Sequence, residues 1–361
     1  NTGTVTLNAA AGAADITLDE AGSSTGALNL TAAAATVDRD AAIEFGGGTV
    51  SSLTATSGTG ITDSGTITTT GGLVATTDAG NGDITLDDID VSGGTVEFNT
   101  DGTGNATINN ASALDFAASN IGGDLDVTAG SNITESGSLT VVGNATFTTT
   151  NGSDILLASQ PNDIAGGASF AASTGNINNL EFLNINAAAT LPNLGNVSND
   201  VTLQFDNTAI DLPALTIGGN LDVTAGGNIT ESGALTVVGN ASFTTPDGSD
   251  ILLASQPNDI AGGASFAAST GNINNFEFRN TNAGATLPSL GNVSNNVTIQ
   301  FDNTAIDLPA LTIGGNLEVT AGGNITESGA LTVVGNSSFT TVNGSDILLA
   351  SQPNDIAGGA S

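Results

Sequence analysis

Apolar and polar residues alternate with a period of two over short runs along the whole chain. Val297-Thr298-Ile299-Gln300-Phe301, Ala241-Ser242-Phe243-Thr244 and Leu221-Asp222-Val223-Thr224 all show it, the pattern of a strand with one face buried. Between the runs stand Gly-Gly, Gly-Asn, Asn-Gly and Asp-Gly pairs, which supply the positive φ that tight turns need. The pattern therefore predicts short strands joined by sharp corners. One stretch, Thr31 to Phe45, has a helical composition without Gly or Pro, between strand-like neighbours. Strand is the expectation there, with a short helix as the alternative.

The runs recur at long range. GGDLDVTAGSNITESGSLTVVGNATFTT from Gly122 returns as GGNLDVTAGGNITESGALTVVGNASFTT from Gly218, and the unit starts again at Gly314. The period is 96 residues, and the first two copies differ at 13 of the 96 positions, so the fold is that of a repeat array. The first part of the chain holds degenerate copies at a shorter offset. Ile61-Thr62-Asp63-Ser64-Gly65 matches Ile133-Thr134-Glu135-Ser136-Gly137 at an offset of 72, and Asp83-Ile84-Thr85-Leu86 lies close against Asp154-Ile155-Leu156-Leu157. The extra material in the longer unit runs from about Asn176 to Asp200. A solenoid keeps register across such an insertion only if it is close to a whole coil. A coil of about 24 residues makes 96 four coils and 72 three, or about 15 coils for 361 residues; shorter coils of 19 to 20 residues, as between Leu221 and Ala241, leave five per long repeat open.

Differences between copies orient side chains. Leu183 becomes Arg279 while Leu180 and Phe182 stay apolar as Phe276 and Phe278, which puts 276 and 278 inward and 277 and 279 outward. Thr150 becomes Pro246, which marks a turn or a strand edge. Leu203 to Ile299 preserves volume and reads as core. Antiparallel hairpins in a sandwich would show the same alternation. The coil-sized increments favour instead an all-β, right-handed parallel β-helix (β-solenoid) over residues 1–361 as one continuous domain. Residues 1–111 would be degenerate short repeats, and residues 112–361 near-identical 96-residue repeats with the last truncated.

Composition narrows the function. The chain has no Cys, His, Trp, Tyr, Met or Lys; its only cations are Arg39 and Arg279, and its net charge is −34. Thiolate and imidazole metal sites are excluded, with most general-base and Schiff-base chemistry. The charge argues against nucleic acid, which needs clustered Lys and Arg, and against docking on an anionic membrane. No stretch approaches the roughly 18 apolar residues of a membrane span. The opening at Asn1 inside a repeat suggests a segment of a longer protein.

GGNLDVTAGGNITESGALTVVGNASFTT resembles the shaft repeats of filamentous-haemagglutinin-type exoproteins and other giant secreted bacterial adhesins. The resemblance covers essentially the whole chain. It implies a right-handed β-helix on, or released from, a Gram-negative cell surface, with a secretion domain and an adhesive tip elsewhere. The near-absence of Lys and Arg departs from relatives that bind heparin or glycans through charge.

Several side chains invite a chemical reading. Asp87-Asp88 and Asn99-Thr100-Asp101 resemble two short motifs of polygalacturonases, but in reversed order and without that family's His- and Lys-containing motifs. A carboxylate pair can hydrolyse a glycoside; solvated turn acids are the blander reading. Asp154, Asp250 and Asp346 each follow Asn/Asp-Gly-Ser and precede Ile. They are weak calcium candidates, set against turn-capping aspartates. Thr146-Phe147-Thr148 and Thr66-Ile67-Thr68 are too sporadic for an ice-binding array, and the sequons at Asn132, Asn144, Asn196 and Asn240 follow from the abundance of Asn and Thr.

The expectation is thus a non-enzymatic extracellular shaft with no catalytic, cofactor or dedicated metal residues. Partners would be other cell surfaces or matrix, met through regions outside this segment, with end-to-end or lateral self-association open to it through uncapped strand edges. The alternatives are a subunit of a self-assembling filament or sheath and, more remotely, a carbohydrate-active β-helix enzyme.

Overall fold

A computed structural model describes residues 3–9, 14–20, 26–342 and 344–361. The chain is an all-β parallel solenoid of about 17 turns, with no helix among the described residues. Contacts divide it into two compact units, Asn1–Asn196 and Val197–Ser361.

In the second unit a representative coil carries three strands, Leu221–Ala225, Ile229–Glu231 and Leu235–Val237. Each lies on its own face and pairs in parallel with the next coil: Leu221 with Ala241, Ile229 with Ile251, Val237 with Ile260. The alternation read from the sequence is the in–out alternation of the strands. Leu221, Val223 and Ala225 are buried, whereas Asp222 is exposed. Two consecutive glycines at a corner bring the backbones of neighbouring coils together. A Cβ on Gly226 would collide with the carbonyl oxygen of Asp206 one coil earlier.

The core is aliphatic with phenylalanines stacked along it. In the second unit the Phe243 and Phe266 rings lie 5.2 Å apart at 9°, and Phe266 meets Phe276 and Phe278 at 4.8 Å each. In the first unit Phe147, Phe170 and Phe182 form the matching run.

The 31–45 stretch is strand: Leu28–Arg39 and Ile43–Ser57 take it up. Leu28–Arg39 pairs with Ile16–Glu20 on one side and Ile43–Ser57 on the other, so ladder pairing on both edges overrides the helix propensity of alanine. Leu203 and Ile299 are core, and Thr150 and Pro246 stand just past strands Ala145–Thr149 and Ala241–Thr245. Position 183/279 is mixed. Arg279 points outward to Asp302, with its Nη2 2.6 Å from a carboxylate oxygen, but Leu183 is only 9% exposed.

The coils are shorter on average than the increment between repeats suggests, which is why the turns outnumber those expected. In the second unit, register steps of 22, 25, 21 and 20 residues carry Ile229 through Ile251, Phe276 and Val297 to Leu317. Four coils thus end at Leu317, whereas the counterpart of Ile229 in the next repeat is Ile325, one strand further on. In the first unit, three coils take Ile61 through Ile84 and Ala106 to Leu125. The counterpart of Ile61 in the next repeat, Ile133, again lies eight residues on. Each repeat is therefore a whole number of coils plus one strand and corner. The added coil is whole, but the repeat is not, and equivalent strands move round by one face. Leu221–Ala225 stacks in one sheet and its equivalent Leu317–Ala321 in another.

Corners hold buried asparagines. Asn258 is fully buried; its Oδ1 accepts the Leu235 amide at 2.8 Å and its Nδ2 donates to the Leu253 carbonyl at 3.1 Å. Asn258→Ala would orphan both backbone groups, a cost of about 1–3 kcal/mol for each buried group left unpaired. The denaturation midpoint of this unit should drop accordingly, with faster amide exchange at Leu235; an unchanged midpoint would contradict the account.

Candidate functional site

The aspartates singled out as calcium candidates sit at corners and face N–H donors. Asp250 Oδ1 accepts the Asn275 amide, the Asn275 side chain and the Asn274 side chain, each at 2.9 Å. Asp154 Oδ1 is surrounded in the same way by Asn178 and Asn179 at 2.9 to 3.0 Å. Donors occupy the oxygens that a hard cation would need. Asp346 is tied through its own amide to Asn324 Oδ1 at 2.9 Å. Among the described residues no group of three or more His, Cys, Asp or Glu side chains is placed to hold a metal. At Asp154 and Asp250 the surrounding donors do not suit calcium, and the two carboxylates cap the neighbouring coil's turn.

They belong to a larger device. In the second unit Asn228, Asp250, Asn275, Asn296, Asn316 and Asn336 stand one above another. Each side-chain oxygen accepts the backbone N–H of the next rung, at 2.8 to 3.3 Å, and Asn336 accepts from Gly359. The first unit has a matching run through Asp83, Asn105, Asp124 and Asn144. The one-face advance explains the composition. Asn228 opens an Asn-Ile-Thr-Glu strand, whereas Asn316 opens an Asn-Leu-Glu-Val strand, yet both serve one ladder, so both slots must carry a corner amide. The sequons at Asn132, Asn144 and Asn240 are such rungs.

Asp87 and Asp88 are not brought together with Asp101. Their amides donate to the two carboxylate oxygens of Asp63, at 3.0 and 2.8 Å, and Asp88 accepts from Thr66 at 2.7 Å. Thr146 and Thr148 are flanked in register by Asp126 and Thr128 on one side and Ser169 and Ala171 on the other, so they form no threonine array.

Asp63 belongs to a set that sequence reasoning did not single out. Its counterparts Glu135, Glu231 and Glu327 end the Ile-Thr-Glu strands and are 7 to 8% exposed. Each spans a place where the next coil swings outward. Glu231 accepts the Gln256 amide and the Asn258 side chain, both at 2.8 Å; Glu327 accepts Ser351 and Gln352 amides and the Asn354 side chain at 2.7 to 2.9 Å. Glu135 accepts the Gln160 amide at 2.9 Å. The available signal was an acid, Asp or Glu, at an inward strand position in every copy.

Burial pushes the carboxyls of Asp63, Glu135 and Glu231 above their ordinary range, and hydrogen bonds partly oppose it. At Glu327 burial pushes the same way, but bonds from Asn354, Gln352 and Ser351 outweigh it and the carboxyl is lowered. Near Asp115 a groove of about 190 Å³ is lined by Gly93, Gly94, Thr95, Leu114, Asn132 and Thr134; Thr134 donates to Asp115 at 3.3 Å.

The family model described as Repeats of unknown function (DUF5649) matches residues 31–99, 103–171, 198–267 and 294–361. The chain belongs to this repeat family. Each matched DUF5649 segment is one short repeat, and the unmatched residues 172–197 and 268–293 contain the added coil. That interval agrees with the insertion read near Asn176 to Asp200. No curated protein and no solved structure matches the chain.

The raised carboxyls set a pH dependence. A folded-state pKa above the unfolded value contributes stability that is fully present below the unfolded pKa and is lost as pH rises through the folded one. The stability contributed at Asp63, Glu135 and Glu231 should therefore fall as pH rises from about 4.5 toward neutrality, while Glu327 contributes with the opposite slope. Glu231→Gln keeps an acceptor for the Gln256 amide and should flatten that fall, measured as the denaturation midpoint against pH; parallel curves for variant and wild type would refute it.

Proposed function

We propose that this DUF5649 array is the structural shaft of an extracellular bacterial adhesin or surface fibre, a non-catalytic spacer that presents an adhesive region encoded elsewhere. The observation that carries the reading is the unbroken use of corners and strands for self-stacking. Within each unit the inward residues fill the core, and the corner Asn and Asp side chains accept the next coil's backbone. The carboxylates of Asp63, Glu135, Asp154, Glu231, Asp250 and Glu327 accept main-chain N–H groups of the next coil. A protein whose polar groups are consumed in stacking is suited to holding distance. The −34 charge would keep neighbouring shafts apart.

The resemblance to filamentous-haemagglutinin-type repeats supports the extracellular placement. An antibody raised against the array should label intact cells of the organism that carries it; labelling only after lysis would overturn the reading. The scarcity of cations suits an extracellular life as well. Arg39 is 4% exposed, and Arg279 is held by Asp302 in a two-nitrogen contact at 2.6 to 3.3 Å. Trypsin should leave the folded chain intact and cut it only after denaturation, read on a gel. Cleavage at Arg279 as fast in native as in denatured protein would contradict this.

A further inference from the structure

Asn-Gly is the dipeptide in which the backbone most readily attacks its own side chain, because glycine puts no Cβ in the way of the ring that forms. It occurs three times in the chain, at Asn81-Gly82, Asn151-Gly152 and Asn343-Gly344; Asn343 lies outside the described residues. The second long repeat has Asp247-Gly248 in the place of Asn151-Gly152, and aspartate is the residue that such an attack can leave behind. These corners take part in the stacking of the coils, so their chemistry sets how long the stack lasts.

At Asn151 both reacting groups are tied to the next coil. Its Oδ1 accepts the Asn176 N–H at 3.0 Å, and the Gly152 N–H donates to the Asn176 carbonyl at 2.9 Å. Asp247 and Gly248 hold Asn272 by the same two bonds, at 2.8 and 2.9 Å. The oxygen sits under a left-handed glycine, Gly175 or Gly271, where a Cβ would stand 2.1 Å from it. At Asn81 half of this is missing. Its Oδ1 accepts the Thr103 N–H at 3.0 Å under Gly102, but the Gly82 N–H meets no acceptor among the described residues. Asn81 is also the one non-glycine residue among those described with a left-handed φ, 57°, a conformation that costs free energy and favours release. Gly82 packs on the preceding coil, where a Cβ would meet the Thr59 carbonyl oxygen at 2.5 Å, so attack needs a local opening. The turn 78–81 in front of it is exposed throughout.

We propose that Asn81-Gly82 is a site of spontaneous deamidation in the folded array, and that the paired bonds at Asn151-Gly152 lock the same chemistry out. Opening the first corner gives up one bond and relieves a strained φ, whereas opening the second gives up two bonds. The Gly82 nitrogen, having lost its proton to hydroxide, attacks the Asn81 Cγ. The Cγ–Nδ2 bond breaks, and ammonia leaves with a proton taken from water. Water then opens the succinimide ring at either carbonyl, leaving an aspartyl or an isoaspartyl residue at position 81. The aspartyl product keeps the acceptor that the Thr103 amide uses, as Asp247 does for Asn272. The isoaspartyl product puts an extra carbon into the backbone and takes that oxygen out of the corner. This chemistry is independent of the shaft reading.

The full chain can be held folded in mildly alkaline buffer and then digested with a glutamyl endoprotease, whose cuts at Glu44, Glu97, Glu135 and Glu181 put Asn81 and Asn151 in separate peptides. Mass spectrometry should show position 81 converting about fivefold faster than position 151, or more, the factor that one net hydrogen bond supplies. In the denatured chain the two should convert at similar rates. Gly175→Ala, whose Cβ would displace the Asn151 oxygen, should speed conversion at position 151 in the folded chain; should that variant not fold, the wild-type ratio decides alone. No conversion at position 81, equal conversion at both positions in the folded chain, or the same ratio in the denatured chain would overturn the proposal, as would an unchanged rate at position 151 in folded Gly175→Ala.

Discussion

Everything in this structure depends on each coil keeping its corners above those of the coil before. A parallel ladder shares its hydrogen bonds between successive turns, so a single corner out of step would expose main-chain polar groups in a row. The chain meets this constraint with amide and carboxylate side chains at corners. They accept the N–H of the next turn where the strand geometry cannot. The ladder from Asn228 to Asn336 is the clearest case, and the carboxylate of Glu231, reaching across to Gln256 and Asn258, mends the ladder where the next coil bulges.

The same constraint explains why near-identical repeats need not be identical in setting. Because a repeat ends one strand past a whole number of coils, each sequence slot must work beside a different slot in the next copy. A corner amide therefore recurs before both kinds of strand, Asn220 before Leu221 and Asn228 before Ile229. The phenylalanines follow the same rule: Phe266 lies against Phe243 from the preceding coil and Phe276 and Phe278 from the following strand. One constraint thus links composition and core.

Fold class was legible in the sequence because period-two alternation and paired corner residues speak about single coils. Leu221, Val223 and Ala225 face inward as their pattern requires. The added coil was also visible, since its loss from the shorter repeats leaves everything else in register. The face advance was hidden. A remainder of eight residues is lost when coil length is inferred from the difference between repeats, and the bend between Leu253 and Asn258 lengthens one coil to 25 residues. Of the candidate side chains, Asp154 and Asp250 were recognisable as corner acids, but their donors, Asn178, Asn179, Asn274 and Asn275, lie 24 to 25 residues away. Glu135 and Glu231 stand at the inward end of their short strands, in phase with Ile133 and Ile229; the bulge one coil later, which gives them their amide donors, could not be read from the strand itself.

Four coils, not the whole repeat, separate strands that share a column, and the pairing of Phe276–Asn280 with Val297–Phe301 decides it. A repeat made of a whole number of coils would seat Phe276–Asn280 against Ile306–Leu308 instead, because Ile306–Leu308 is the strand that leads on to Ile325. Glu277 and Thr298 are register neighbours on the outer side of the observed pair, at a Cα separation within disulfide range. In a chain without cysteine, Glu277→Cys with Thr298→Cys should form an intrachain disulfide under mild oxidation. Glu277→Cys with Asp307→Cys should remain reduced. The reverse outcome would place the next repeat directly above the last and contradict the account.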